Sequence, residues 1–569
     1  MNRLAVIRSA GYEVRYIWEC EWKSELREDA ETKAMYECYV SRDMRVFRDP
    51  MDPREALFGG RVDCYQLFWK SFKAGILAAF PDIVQRLRKL HVKYKDFTSL
   101  YPDINKNGTY PVGHPVIMRN RDFLKKPPWP YYGLMHCKIL PPRDLYHPVL
   151  PQRVKQEGTV AEKLVFTLCR SCAEEANFVI NGCEHDEEER ALEGKWTTPE
   201  IELAVEEGYE ILEVYEVWNY MRKKKGLFAD YIKTFQKGKQ EAAGWPKDCS
   251  TDEEKAHYLR KYLEVEGVQL EASKIGDKKN PTLYDLNKRC MNSFWGKWAE
   301  RQDTLQTTLT HSSEAFYKFL ENPNLKEKKF ALVNEESMIL SWRDEAFAIG
   351  GSGKGSIVHA VFTTSLARIK LYRELLKPLG KRVLYCDTDS AVFISGEDLE
   401  DPPNGDFLGQ LTDKLDPSGE VVIGEWVCGG AKHYGYRTFD LRKDRFHDDF
   451  SGVKFKCKGV VNSRASEKEV NFHTLSKLIL ESVFHEDEGE KREVRNCLPV
   501  AQEISYPKFE IRRGMGRDGV WERKFELVSD VVEKKYRLYF DKRVVCKRNY
   551  CTYPFGYRGP LVDRDPNFS

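Results

Sequence analysis

Short apolar runs broken by acids and turn residues mark the strands of this chain, and longer charged stretches mark its helices. Val383-Leu384 and Ala391-Val392-Phe393-Ile394 are two such runs, and Tyr385-Cys386-Asp387-Thr388-Asp389-Ser390 lies between them. Apolar residues on both sides of a short acidic segment predict two strands joined by a tight turn. A further strand-like run ends at Asp96, in Tyr94-Lys95-Asp96-Phe97-Thr98-Ser99-Leu100-Tyr101-Pro102, after which the chain turns. Val14 to Glu19 reads as a short strand followed by a charged helical stretch. Residues 186–193, 200–225, 251–301 and 358–377 read as helical, with Asn280-Pro281 as a helix start in the third. Residues 302–356 are mixed, and from 460 onward short apolar runs alternate with charge, which predicts a small α+β subdomain. Prolines at 127–130 and 141–142 mark irregular connections.

Composition narrows the class without naming a partner. A length of 569 residues suggests roughly three or four domains. Hydrophobic residues at 41% and aromatics at 12% are enough for buried cores. The 91 Lys and Arg nearly cancel 89 Asp and Glu, so local clusters must carry any electrostatic argument. Met1 to Gly11 has no apolar core of a secretory signal, and no uncharged run approaches bilayer length. Fifteen scattered cysteines then predict reduced thiols in an intracellular protein with no membrane partner, nuclear or cytoplasmic.

The acidic turn carries the strongest chemistry. Crowded carboxylates are costly unless a cation compensates them, and divalent ions do so best. Asp96 and Asp389 together supply the two anchors of a two-metal site; a solvated Asp-x-Asp turn is the plainer alternative. In Lys288-Arg289-Cys290-Met291-Asn292-Ser293-Phe294-Trp295-Gly296-Lys297, residues Lys288, Asn292 and Trp295 share one helical face. A cation, an amide and a flat ring together suit a triphosphate and a base, although an amphipathic helix shows the same pattern. Lys432, Lys454, Lys456 and Lys458, interleaved with Tyr434 and Tyr436, suit a nucleic-acid groove or a solvated lysine face. Arg222 to Lys225 reads as an exposed helix end, and the glycine run 350–355 as a loop rather than a phosphate cradle. Cys169, Cys172, Cys183 and His185 provide four Zn²⁺ ligands of suitable type, or buried thiols.

The three segments, in this order, resemble motifs A, B and C of family B DNA polymerases, and the Tyr-Cys-Asp-Thr-Asp-Ser form is similar to that of protein-primed members. Phe58-Gly59-Gly60-Arg61 resembles the Gly-Gly motif ahead of the palm. Thr364 to Arg368 resembles the helix before motif C, Gly430 to Tyr436 the primer-gripping motif, Lys456 to Val460 the start of the thumb, and Thr552 to Tyr557 the closing segment of the transposon-type group. Trp295 stands where many relatives have tyrosine, and Ala431 where proline is usual.

The resemblance implies an α+β right-hand fold: an antiparallel palm sheet, helical fingers, a small thumb and insertions. It implies Asp96 and Asp389 as ligands of two Mg²⁺ ions, with Asp387 an accessory acid. Ser99, Leu100, Tyr101, Lys288 and Asn292 would hold the dNTP, Tyr101 excluding a 2′-hydroxyl. Gly59, Gly60, Lys432 and Tyr434 would contact DNA. The expected partners are template and primer DNA, dNTPs and a terminal priming protein.

The expected organisation is an N-terminal remnant at 1–57, palm at 58–136 and 357–459, fingers at 251–301, and thumb with C-terminal segment at 460–569. Insertions are expected at 137–250 and 302–356; about 185 positions separate Pro102 from Lys288, far more than a palm-to-fingers connection needs. Only 57 residues precede Phe58, without an Asp-x-Glu exonuclease motif, so the reading is a polymerase core without a proofreading domain. An inactive relic that binds DNA or a terminal protein is the alternative function. A reverse transcriptase is disfavoured because its aspartates are typically adjacent.

Overall fold

In the computed structural model, residues 17–562 are described except 31, 34–35, 37–49, 72–88, 120–122, 157–161, 247–248, 302–303, 345–354, 417, 443–444, 447–451, 461–462, 485–501, 516–520, 537 and 539. Val14 to Tyr16 and most of the glycine run therefore lie outside the described residues. Trp18 is extended, and Glu19–Glu28 is a helix, so the strand-like reading fails at Glu19.

β-Branched and aromatic runs pair into an antiparallel sheet of ten strands among the described residues. Its main strands are β1 (Val62–Cys64), β2 (His91–Phe97), β3 (Val383–Asp387), β4 (Ser390–Ser395), β5 (Val421–Gly430), β6 (His433–Asp440) and β7 (Val453–Cys457). The order is β1-β3-β4-β2-β5-β6, with β7 beside β6. The hairpin β3–β4 is thus central, flanked by β1 and β2. Val383, Leu384, Tyr385, Cys386, Ala391, Val392 and Phe393 are all 0% exposed. Each large apolar side chain buried this way contributes about 1.5–3 kcal/mol, which fixes the register.

Four helices matter for the site: α1 (Leu100–Asn107), α2 (Ala229–Ala243), α3 (Pro281–Trp298) and α4 (Ile357–Leu371). The Asn280 side chain accepts from the Leu283 amide at 3.2 Å and Pro281 opens the first turn, so α3 starts where the sequence predicts. α2 packs on α3: Tyr231 stacks on Phe294 at 3.9 Å and 15°. A β-carbon on Gly238 would lie 2.6 Å from Asn287 Oδ1, so the glycine permits the close approach. The helical unit therefore begins at Ala229, ahead of the boundary at 250 expected from the sequence.

The 200–225 stretch is not one helix. Thr198–Glu206 is helical, but Glu210–Asn219 is a strand paired with Gly133–Leu140, and Arg222–Lys225 is a strand paired with Thr109–Val112. Two irregularities of register, Ile211/Glu213 and Val214/Glu216, break the period of two and hide the strand. Residues 306–344 form a three-stranded sheet with one helix, Ser313–Glu321. Beyond 460, helix Phe472–Phe484 and the long hairpin 502–515/521–536 give the expected α+β unit. Residues 550–557 then return to the central sheet, where Thr552 donates its amide to Tyr65 O at 2.8 Å.

Candidate active site

Register alone brings the three acids together. Ser390 lies opposite both Asp387 on β3 and Asp96 on β2, so the hairpin turn sits beside the end of β2. The Phe97 amide donates to Asp389 O at 2.7 Å, and the Thr388 amide to Arg61 O at 2.7 Å. Thr388 is left-handed, with φ 60, and its side chain lies against Gly60. A β-carbon on Gly60 would lie 2.6 Å from Thr388 Cγ2, so only glycine lets the Gly-Gly loop close over the turn. Gly59 has open space on that side.

The loop is clamped from below. Arg368 of α4 donates to the carbonyls of Phe58 and Gly59 at 2.9 and 3.0 Å, and pairs bidentately with the buried Glu200 at 2.7 and 2.9 Å. Arg61 pairs with Asp63 at 2.8 Å, also buried. Removing one member of such a pair strands a buried charge and costs about 3–5 kcal/mol.

Burial, with Asp96 and Asp387 alongside, pushes the Asp389 carboxyl up to about 6. Two half-exposed lysines offset the neighbouring charges: Lys414 pairs with Asp96, and Lys432 reaches Asp387 Oδ2 at 2.7 Å. Burial pulls Lys414 down, but Asp96 outweighs it and holds the ammonium above its ordinary value. Lys432 sits in a left-handed turn between β5 and β6. The sequence suggested a DNA contact for Lys432, not this pairing with Asp387; Lys414 lies in no motif, and no sequence signal marked it. The lysine ammonium groups stand where cationic charge is wanted, and the donor set is all oxygen, which suits Mg²⁺.

The residues that the resemblance implies for the dNTP separate into two sets. Ser99 caps α1 in a left-handed conformation (φ 55), Leu100 is buried, and Tyr101 is half-buried, its phenol pushed up to about 12 by burial. Tyr101 meets Trp295 of α3 at 4.7 Å between ring centroids, tilted by 36°. Lys288 and Asn292 lie exposed along one face of α3 with Asp285, Arg289 and Ser293 around a shallow groove. Lys239 on α2 is a further residue that the sequence did not single out. Its ammonium is lowered by burial and then by Lys288, so the two cations share one neighbourhood.

Tyr434 and Tyr436 are not presented to solvent. Tyr434 is 2% exposed, stacked on Trp426 at 5.1 Å, with its hydroxyl 3.2 Å from that of Tyr94. Tyr434 and Tyr436 lie opposite Lys456 and Lys454, and Lys456 Nζ sits 5.6 Å over the Tyr434 ring. Lys454, Lys456 and Lys458 stay exposed while the two rings are buried. The exposed basic face formed by Lys454, Lys456 and Lys458 fits a phosphate backbone; a stacking role for Tyr434 does not fit its burial.

Cys169, Cys172, Cys183 and His185 also converge, with one ligand-type atom of each within 4.8 Å of the others. This cluster is remote in sequence from the acids and belongs to a separate apolar core with Val154, Val165, Val544 and Phe555.

The family model for DNA polymerase type B, organellar and viral, matches residues 45–249. That range contains the Gly-Gly loop and Asp96. No curated protein matches the chain. Among solved structures it is similar to Phi29 DNA polymerase complexed with primer–template DNA, at 15% identity and a TM-score of 0.42, covering 93% of this chain and 70% of that one. It is also similar to the ternary complex of Phi29 DNA polymerase with primer–template DNA and incoming nucleotides, at 14% identity and 0.43, covering 90% and 67%. The matched range ends before α3 and the acidic hairpin; the hairpin joins it through the central sheet, and α3 packs on α1 and α2. No helix among the described residues is long and apolar enough to cross a membrane.

Proposed function

We propose that this chain is a DNA-directed DNA polymerase that extends a primer 3′-hydroxyl with dNTPs, and that it starts synthesis on a priming protein. The observation that carries the reading is the meeting of Asp96, Asp387 and Asp389 at one turn, beside a type B polymerase segment. Three carboxylates forced together with Asp389 raised to about 6 are a site built to receive cations.

Asp96 and Asp389 would hold two Mg²⁺ ions, with Asp387 beside them. Ions bound there supply the charge that activates a hydroxyl and stabilises a leaving pyrophosphate. Lys414 and Lys432 would release Asp96 and Asp387 as that charge arrives, since both ammonium groups are half-exposed and free to swing out. Lys288, with Lys239 behind it, binds the triphosphate, and Asn292 orders it on the same face of α3. Tyr101, backed by Trp295, forms the floor beneath the sugar and excludes a 2′-hydroxyl. The Gly59-Gly60 loop and the lysines of β7 seat the template–primer duplex.

Primer extension on a DNA template with Mg²⁺ tests the reading. Extension by the intact chain, lost in Asp96→Ala, is the expected result. No extension under any divalent ion, with DNA binding retained, would favour the inactive DNA-binding alternative.

A further inference from the structure

The Cys/His cluster has the dimensions and the surroundings of a closed metal site. Tetrahedral Zn²⁺ with bonds of about 2.3 Å to sulfur and 2.0–2.1 Å to nitrogen puts S and N about 3.5 Å apart. His185 Nδ1 lies 3.4, 3.3 and 3.9 Å from the sulfurs of Cys169, Cys172 and Cys183. All three cysteines are buried. The other imidazole nitrogen, Nε2, faces Glu175 Oε2 at 3.4 Å, the carboxylate–histidine arrangement that turns Nδ1 toward a metal. The Cys172 amide donates to Cys169 Sγ at 3.3 Å, and Asn177 Nδ2 and Arg143 reach the sulfurs of Cys172 and Cys183 at 3.8 and 4.0 Å. Thiolates accept such donors better than thiols do.

What this cluster touches is the C-terminal segment. The Leu168 amide and the Thr167 hydroxyl both donate to Phe555 O, at 2.9 and 3.2 Å. Phe555 is fully buried against Phe178, with ring centroids 5.3 Å apart. Gly556, at φ +80, lies so close that a β-carbon there would collide with Cys169. Four residues before Gly556, the Thr552 hydroxyl donates to Cys64 O at 2.6 Å, and Cys64 pairs across the ladder with Tyr385 of β3. One continuous set of contacts runs from Cys169 through the tail to the strand that carries Asp387.

We propose that Cys169, Cys172, Cys183 and His185 bind one Zn²⁺ as a structural clasp that locks residues 552–557 between the 163–185 region and β1. The ion is separate from the carboxylate site and takes no part in nucleotidyl transfer. Its function is to fix the local chain at Leu168–Cys169, against which Phe555 and Gly556 close.

Elemental analysis of the full chain purified without chelators tests the site. One zinc per chain is expected, and the cobalt-exchanged protein should show the strong visible and near-ultraviolet absorption of tetrahedral thiolate ligation. Cys172→Ser and His185→Ala should each lose it. No stoichiometric metal together with no such cobalt spectrum, or a Cys169–Cys172 disulfide in the freshly purified protein, would overturn the site without any variant needing to fold. Hydrogen exchange tests the clasp: stripping zinc should speed exchange at 552–557 and at Leu168 at least tenfold, while β5 and β6 stay protected. Zinc bound but tail exchange unchanged on its removal would overturn the clasp.

Discussion

The two clusters of ligand-type side chains in this molecule are built on opposite terms. Asp96, Asp387 and Asp389 are oxygen donors at strand ends and the hairpin turn of the central sheet, offset by two half-exposed lysines. Cys169, Cys172, Cys183 and His185 are softer donors, closed in by Phe555 and oriented by Glu175. On the functions proposed above, the first arrangement would store repulsion until hard cations arrive with substrate, and the second would close around one ion and become part of the fold. A site is told from a scaffold here by whether its charges are comfortable in the ligand-free protein.

The comparison is broken most directly by substitutions that respect shape. Asp96→Asn keeps the strand end and removes one anchor: extension is expected to fall by about a thousandfold, roughly 4 kcal/mol of transition-state stabilisation, while melting changes little. Rapid-quench extension assays and calorimetry check the two halves. Cys172→Ser should do the reverse, lowering unfolding free energy by about 3 kcal/mol because metal binding there is folding free energy; urea denaturation reads it, and excess Mg²⁺ should not restore the loss.

Asp389→Asn sharpens the contrast. Its carboxyl is raised in the folded protein, so ionisation opposes folding. The cost is full above pH 6 and vanishes below about pH 4, where folded and unfolded forms are both protonated. Discounted for partial exposure, the metal-free variant should be more stable than the parent by about 1–2 kcal/mol at pH 7, and equal to it near pH 4. Melting curves against pH in chelator check the sign. The smallest effect belongs to Lys432→Met, whose half-exposed ion pair should alter stability by less than about 1 kcal/mol.

Much of the acidic hairpin was legible because its apolar flanks are buried on both faces, which leaves only one register. The start of α3 was legible from Asn280-Pro281 for the same local reason. Glu210–Asn219 was not, since irregular register disguises the alternation, and α2 was assigned to the insertion because its partner α3 lies some forty residues on. The strip of lysines and tyrosines is met in part: the residues are cross-strand neighbours, but the rings are buried and only the lysines are exposed. Lys414 and Glu175 meet their partners only through the fold, and no spacing could have announced them.

The central claim is that the three aspartates form a cation site whose ligand-free state is strained by their own charge. Mn²⁺ binding to the intact chain and to Asp389→Asn, followed by electron paramagnetic resonance with template–primer and dNTP present, tests it directly. The expected result is tight Mn²⁺ binding by the intact chain and at least a tenfold loss of affinity in the variant, which still melts no lower than the parent. Equal Mn²⁺ affinity in the two proteins would contradict it.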